Sequence, residues 1–304
     1  MTARPLIVIG SINQDIVTFV ESHPRPGETV LARSTLVSLG GKGCNQAIAA
    51  ALMGVPVHFV GAVGADAAGD FALDQLNAGG VDTTAVVRMS DAATGTAYIT
   101  VDESGENTIV VASGANARVT ADVASAALSA LADSLGDPVL LVQGELPPAV
   151  NMAVARIARD RGLRFVMNLA PVSDIDAETI STADPLVVNE SEAADLLGSE
   201  SRSPAVDLRE RFDIEVVVTV GADGALLADA SGLHRQPSPV PEAVLDTTGA
   251  GDAFVGVLAA GLCEGLTLAE SARRAATAAS HSVEGAGTTT SYASRSELDA
   301  LLAR

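Results

Sequence analysis

Short β-branched runs recur along this chain with Ala-rich stretches of helical spacing between them, and that alternation constrains the fold more than any other feature. The runs are Leu6 to Ile9, Val57 to Val60, Val139 to Val142, Arg164 to Met167, Leu186 to Val188 and Glu215 to Val220. Helical spacing marks Asn45 to Met53, Asp70 to Leu76, Ala121 to Leu131, Ala149 to Arg161, Ser191 to Leu197 and Pro204 to Arg211. Three more helical pieces close the chain: Ala253 to Leu262, Leu268 to Val283 and Arg295 to Leu302. Regular alternation predicts an α/β fold with a doubly wound, mostly parallel central sheet, helices on both faces, and ligands gathered at the C-terminal ends of the strands. Hydrophobic residues make up 48 % of the chain but aromatics only 3 %, so the core is built from Ala, Val, Leu and Ile in close-packed layers. One such domain over 1–304 is the expectation for this length.

Two segments break the alternation, 16–36 and 94–111. The second places Thr96 to Val101 and Thr108 to Val111 on either side of the polar turn Asp102-Glu103-Ser104-Gly105-Glu106-Asn107, which is hairpin grammar. Together they predict a small β-sheet lid over the site. A small sheet has exposed edges and little core of its own, so a homodimer through the lid is expected.

A formal net charge of −20 argues against nucleic acid and acidic membrane surfaces as partners, because either would be repelled over most of the surface. Phosphate binding then has to rest on local features. Of the 18 Lys and Arg residues one alone is Lys, and that residue, Lys42, stands inside the glycine cluster Gly40-Gly41-Lys42-Gly43-Cys44-Asn45. A compact ammonium there, in a chain that otherwise uses Arg, points to phosphate contact. Cys44 and Cys263 are far apart with no metal-ligand spacing, and His23, His58, His234 and His281 are scattered singly. The Leu6 to Ile9 run is too short for a secretory signal, and Ala47 to Ala65 is broken by Gly54, Pro56 and His58, so a cytoplasmic protein is expected.

The second glycine cluster, Asp246-Thr247-Thr248-Gly249-Ala250-Gly251-Asp252, runs straight into the apolar stretch that begins at Ala253. Unpaired N–H groups at a helix start, together with glycines that admit close approach, make an anion cradle. Asp252 stands beside it, placed to accept a proton or, more simply, to cap the helix. Neither cluster is a Walker loop: Leu36 stands where the first Gly belongs and Gly43 follows the Lys. Both also fail the dinucleotide fingerprint, with Gln46 and Phe254 at the third Gly.

Six stretches carry a resemblance: Gly10 to Asp15, Gly40 to Gln46, Asp102 to Asn107, Gly114 to Ala117, Asn189 to Glu192 and Asp246 to Asp252. In that order and spacing the chain resembles the ribokinase-like family of sugar kinases, also called the phosphofructokinase B family, and its ribose-phosphorylating members most closely. The resemblance implies transfer of the γ-phosphate of ATP to the 5-hydroxyl of D-ribose, with Asp252 as base and the amides of Gly249, Ala250 and Gly251 as anion hole. Asn13, Asp15, Gly40, Gly41, Lys42, Asn45 and Glu145 would bind the sugar side. Asn189, Thr219, Gly221, Gly224, Gly251, Ala276 and Ser280 would meet the nucleotide. Glu192 would orient water around Mg²⁺, although Asn189 and Glu192 also fit a helix cap with its acid three residues on. K⁺ would be held by Asp246, Thr248, Ser282, Gly285, Gly287 and Ser291. A relative acting on deoxyribose, fructose or a nucleoside, and a non-catalytic sensor on the same fold, remain alternatives at this stage.

Overall fold

Leu6, Ile7, Val8 and Ile9 are each at 0 % exposure, as a strand covered on both faces must be. In the computed structural model of the protein, which describes residues 3–303, this run is an interior strand of the main sheet. Met1, Thr2 and Arg304, the ends of the expected unit, lie outside the described residues. The first third contains β1 (Leu6–Ile9), β2 (Asn13–Phe19), β3 (Ser34–Gly40), α1 (Lys42–Leu52), β4 (Val57–Gly64) and α2 (Ala67–Ala78). It continues with β5 (Val81–Asp82), β6 (Val86–Met89), β7 (Gly95–Val101) and β8 (Asn107–Ala112). Next come α3 (Ala121–Leu135), β9 (Val139–Gln143), α4 (Pro148–Arg161), β10 (Phe165–Asn168), α5 (Ala177–Ile180) and β11 (Leu186–Asn189). The last third holds α6 (Glu190–Leu197), α7 (Pro204–Phe212), β12 (Val216–Thr219), β13 (Ala225–Asp229), β14 (Gly232–Gln236), α8 (Ala250–Cys263), α9 (Leu268–Ser282) and α10 (Arg295–Leu302).

The main sheet has the order β14-β13-β12-β11-β10-β9-β1-β4-β5, with β6 paired to the outer half of β4. It is parallel from β12 to β5, and β13 and β14 add an antiparallel edge that the sequence pattern did not announce. Strand alternation sorts the core into two layers. Leu6 and Val8 pack with Ile48 of α1, Val255 of α8, Ala272 of α9 and Leu298 of α10. Ile7 and Ile9 pack with Leu128 of α3, Val154 of α4, Ala193 of α6 and Leu208 of α7. Helix α8 is buried from Asp252 to Cys263, which its unbroken apolar run requires.

The second sheet has the order β3-β2-β7-β8. Its first segment reaches further than the 16–36 expected, because β2 starts at Asn13 and β3 ends at Gly40. That extension matters for the site. Register pairs Asn13 with Gly40 and Asp15 with Ser38, so Asn13, Asp15 and Gly40 share one face at the root of the lid.

Candidate active site

Strand β1 pairs with β4 on one side and β9 on the other, so chain direction diverges there and a crevice opens beyond the strand ends. Ser11 leaves β1 at this point and Glu145 leaves β9. Both cap α1, whose N-cap Gly41 has no side chain to do so. Glu145 Oε2 accepts the Lys42 N–H at 2.9 Å and the Ser11 hydroxyl, while Ser11 Oγ accepts the Gly43 N–H at 3.4 Å. Part of Glu145 therefore holds a helix start, as unpaired amides there demand. Gly41 has φ 90°, open to glycine and strained for other residues.

On the lid side, Asn13 Oδ1 accepts from Asn116 Nδ2 at 2.8 Å. Asn116 also exchanges hydrogen bonds with the Ile12 backbone, which pins the start of β2. The Asp15 carboxylate packs against Gly40, where any Cβ would collide with it. Its Oδ1 is buried without a partner. Burial first, then the charges of Glu145 and Asp252, push the Asp15 carboxyl up to about 6. For Lys42, burial pulls its pKa down, but Asp252, Glu145 and Glu192 together outweigh burial and hold the ammonium above its ordinary value.

Asp252 is 7 % exposed and stands in the first turn of α8. Asn45 Nδ2 donates to its Oδ2 and Gln46 Nε2 to its Oδ1, both at 2.9 Å, so α1 fixes the carboxylate from one side. Gly249, the N-cap, has φ 78°. Its carbonyl accepts the Tyr292 hydroxyl at 3.0 Å. Ala250 gives its N–H to Thr247 O at 3.3 Å, whereas the N–H groups of Gly249, Gly251 and Asp252 have no protein acceptor among the described residues. The free donors thus sit partly one residue deeper than the expected set.

A cleft of about 490 Å³ opens from that turn. Ala250 and Gly251 form its inner end, Thr219, Gly221 and Gly224 one wall, and Ala276 and Ser280 of α9 the other. The sequence reading missed its third wall, the segment 238–244, where Ser280 Oγ donates to Pro239 O at 2.8 Å and Val240 is 93 % exposed. Asn189 and Glu192 make the foreseen capping box on α6, Asn189 N–H to Glu192 Oε2 and Glu192 N–H to Asn189 Oδ1, each 2.8 Å. Burial raises the Glu192 carboxyl above its usual value, against the opposing pull of the Asn189 N–H and of Lys42. Glu192 therefore feels the charges of Lys42 and Asp252.

The site thus comprises polar groups at the root of the lid, a held carboxylate and a cleft that begins at Ala250 and Gly251. Residues 3–295 match the description "pfkB family carbohydrate kinase". The chain belongs to the pfkB family of carbohydrate kinases. Ribokinase of Bacillus subtilis is 36 % identical over 299 residues, which span 98 % of this chain and 99 % of that one. The crystal structure of ribokinase from Thermotoga maritima superposes with TM-score 0.90 at 31 % identity, covering 99 % of this chain and 100 % of that one. Ribokinase of Arabidopsis thaliana complexed with ribose and ATP gives TM-score 0.88 at 29 % identity, with 99 % of both chains covered. The chain is a sugar kinase.

In this pfkB family kinase four of the residues that the resemblance implies for K⁺, Asp246, Thr248, Gly287 and Ser291, form a hydrogen-bonded knot, and Ser282 and Gly285 bond to each other. Asp246 accepts the N–H of Thr248 at 2.9 Å and of Gly287 at 3.0 Å, and Ser291 Oγ donates to Gly287 O at 3.0 Å. Ser282 O takes the Gly285 N–H at 3.4 Å. The hydrogen bonds from Thr248 and Gly287 outweigh burial, the largest single influence, and lower the Asp246 carboxyl. One carboxylate amid carbonyl and hydroxyl oxygens suits a hard monovalent cation. Among the described residues no three His, Cys, Asp or Glu side chains are grouped so that they could hold a metal ion. No helix among them is long and apolar enough to cross a membrane.

Proposed function

We propose that this kinase transfers the γ-phosphoryl group of ATP to the 5-hydroxyl of D-ribose, giving ribose 5-phosphate and ADP. The observation that carries the reading is the position of Asp252: its carboxylate is bonded to Asn45 on the sugar side, and the two residues just before it, Ala250 and Gly251, line the nucleotide cleft. The names of the relatives support ribose as acceptor, and the Arabidopsis complex holds both ribose and ATP.

Asn13 and Asp15 orient the sugar, the carboxylate accepting from neighbouring hydroxyls. Asp252 takes the proton of the attacking hydroxyl as the oxygen–phosphorus bond forms and the bond to ADP breaks. Free N–H groups of Gly249, Gly251 and Asp252 stabilise charge on the transferring oxygens, and Lys42 adds a positive charge. Glu192 would orient water around Mg²⁺ carried by the nucleotide phosphates and Asn189 would help hold the phosphate, the ion supplying charge neutralisation. Asp246, Thr248, Ser282, Gly285, Gly287 and Ser291 would hold K⁺, which would supply a fixed positive charge beside the anion hole. Cys44 and Cys263 are free and buried, which suits a reducing cytoplasm.

ADP release measured with ribose, 2-deoxyribose, fructose and adenosine is expected to give the highest kcat/KM for ribose. Preference for any other acceptor removes the ribose assignment. Asp252→Asn is expected to lose turnover by at least about 100-fold while still binding ribose, and retained turnover removes Asp252 as base.

A further inference from the structure

Gln46 is fully buried at 0 % exposure, and its Nε2 donates to Asp252 Oδ1 at 2.9 Å. The same nitrogen gives its second proton to Asn168 Oδ1 at 2.8 Å. Behind it, Gln143 Nε2 donates to Gln46 Oε1 at 2.9 Å. Asn151 Nδ2 then donates to Gln143 O at 2.7 Å, and Asn168 Nδ2 to Val187 O at 3.0 Å. Four amide side chains, from α1, β9, α4 and β10, thus run through a core that is otherwise mostly apolar.

Direction in this row is set from Asp252 outward. A carboxylate only accepts, so Gln46 must face it with its NH₂ and turn its carbonyl to Gln143. Gln143 must then present its own NH₂, which leaves Gln143 Oε1 buried without a donor. A flipped Gln46 would oppose oxygen to oxygen at both Asp252 and Asn168. Leaving a buried carbonyl unpaired and desolvating a row of amides both work against folding. An apolar filling would avoid both, so the row is better explained by what it does to the carboxylate.

We infer that Gln46, oriented by Gln143 and Asn168, is a positioning residue that locks the Asp252 carboxylate in the orientation needed to receive the sugar proton. Asn45 grips Oδ2 and Gln46 grips Oδ1, so rotation of the carboxylate is blocked at both oxygens. The inference rests on Asp252 being the base.

Gln46→Met keeps side-chain length and removes the donor. It is expected to lower kcat by about 10- to 100-fold, because small misplacement of a reacting group costs rate rather than affinity. KM for ATP and the calorimetric Kd for ribose are expected to stay within about 3-fold in a variant whose melting confirms the fold. Gln143→Met leaves both contacts to Asp252 and only frees the Gln46 carbonyl, so a smaller loss of about 3- to 10-fold, again in kcat, is expected. Full kcat in Gln46→Met overturns the inference, as does loss of ribose binding in step with kcat, which marks a structural role. Should Gln46→Met not fold, Gln143→Met decides by the same split. Asp252→Asn with undiminished turnover removes the base itself, an outcome separate from an inactive Asp252→Asn beside a fully active Gln46→Met, which removes the positioning role alone.

Discussion

Asp15 links stability to function at the scale of one residue. Burial and the charges of Glu145 and Asp252 lift its carboxyl to about 6, so the folded protein holds this proton more tightly than the unfolded chain does. The sign follows: the stability associated with that proton is fully present below the ordinary carboxylate range and is lost as pH rises through about 6. Asp15→Asn removes the buried charge, and its unfolding free energy is expected to exceed that of the natural chain at pH near 8 by up to about 3 kcal/mol. The gain should vanish near pH 4, and an equal gain at both ends contradicts the assignment. Ribose KM in the natural chain is expected to rise as pH falls below about 6, because a protonated Asp15 loses acceptor capacity. Asn13, Asp15 and Asp252 were legible in the sequence because each stands in a local cluster of turn residues. Gln46 closes the marked stretch Gly40 to Gln46 but was given no role, and Gln143 stands in no motif: Gln46 meets Asp252 across 206 positions and Gln143 across 97, and nothing local says which amide meets which oxygen.

The lid sheet shows what one element demands of its surroundings. Tyr98 and Val110 pair across β7 and β8 with 53 % and 68 % of their surfaces exposed, and Ile109 and Val111 point the other way at 53 % and 54 %. A four-stranded sheet apolar on both outer faces calls for a cover, and a second copy of the same sheet is the proposed one. Sedimentation at micromolar concentration is expected to give a dimer, and Val110→Asp a monomer with weaker ribose binding, since β2 carries Asn13 and Asp15 at its root. A natural chain that sediments as monomer contradicts this. β1 was legible because four aliphatic residues stand between Pro5 and Gly10. β13 and β14 were not: Ala225-Leu226-Leu227-Ala228 has no β-branched residue, and Leu233 to Gln236 are largely exposed without a period of two. That hairpin exists because β12 offers an open edge, a tertiary cause that no local window contains.

At the scale of the whole molecule the charge balance opposes one substrate and ignores the other. Net charge is −20, and many of the Arg side chains are already paired, as in Arg4–Asp137, Arg118–Asp91 and Arg161–Asp133. The single Lys is shared among three carboxylates. ATP, even with Mg²⁺, approaches against this field, whereas ribose is neutral. Screening should therefore help the nucleotide selectively. Raising ionic strength from about 10 mM to about 150 mM shortens the screening length from about 30 Å to about 8 Å. With tetramethylammonium chloride as the added salt, and Mg²⁺ and K⁺ held constant, kcat/KM for ATP is expected to rise about 2- to 5-fold while KM for ribose stays flat. A fall with added salt would mean that the Lys42 ammonium and the free amides of α8, not the surface as a whole, set the potential that arriving nucleotide feels.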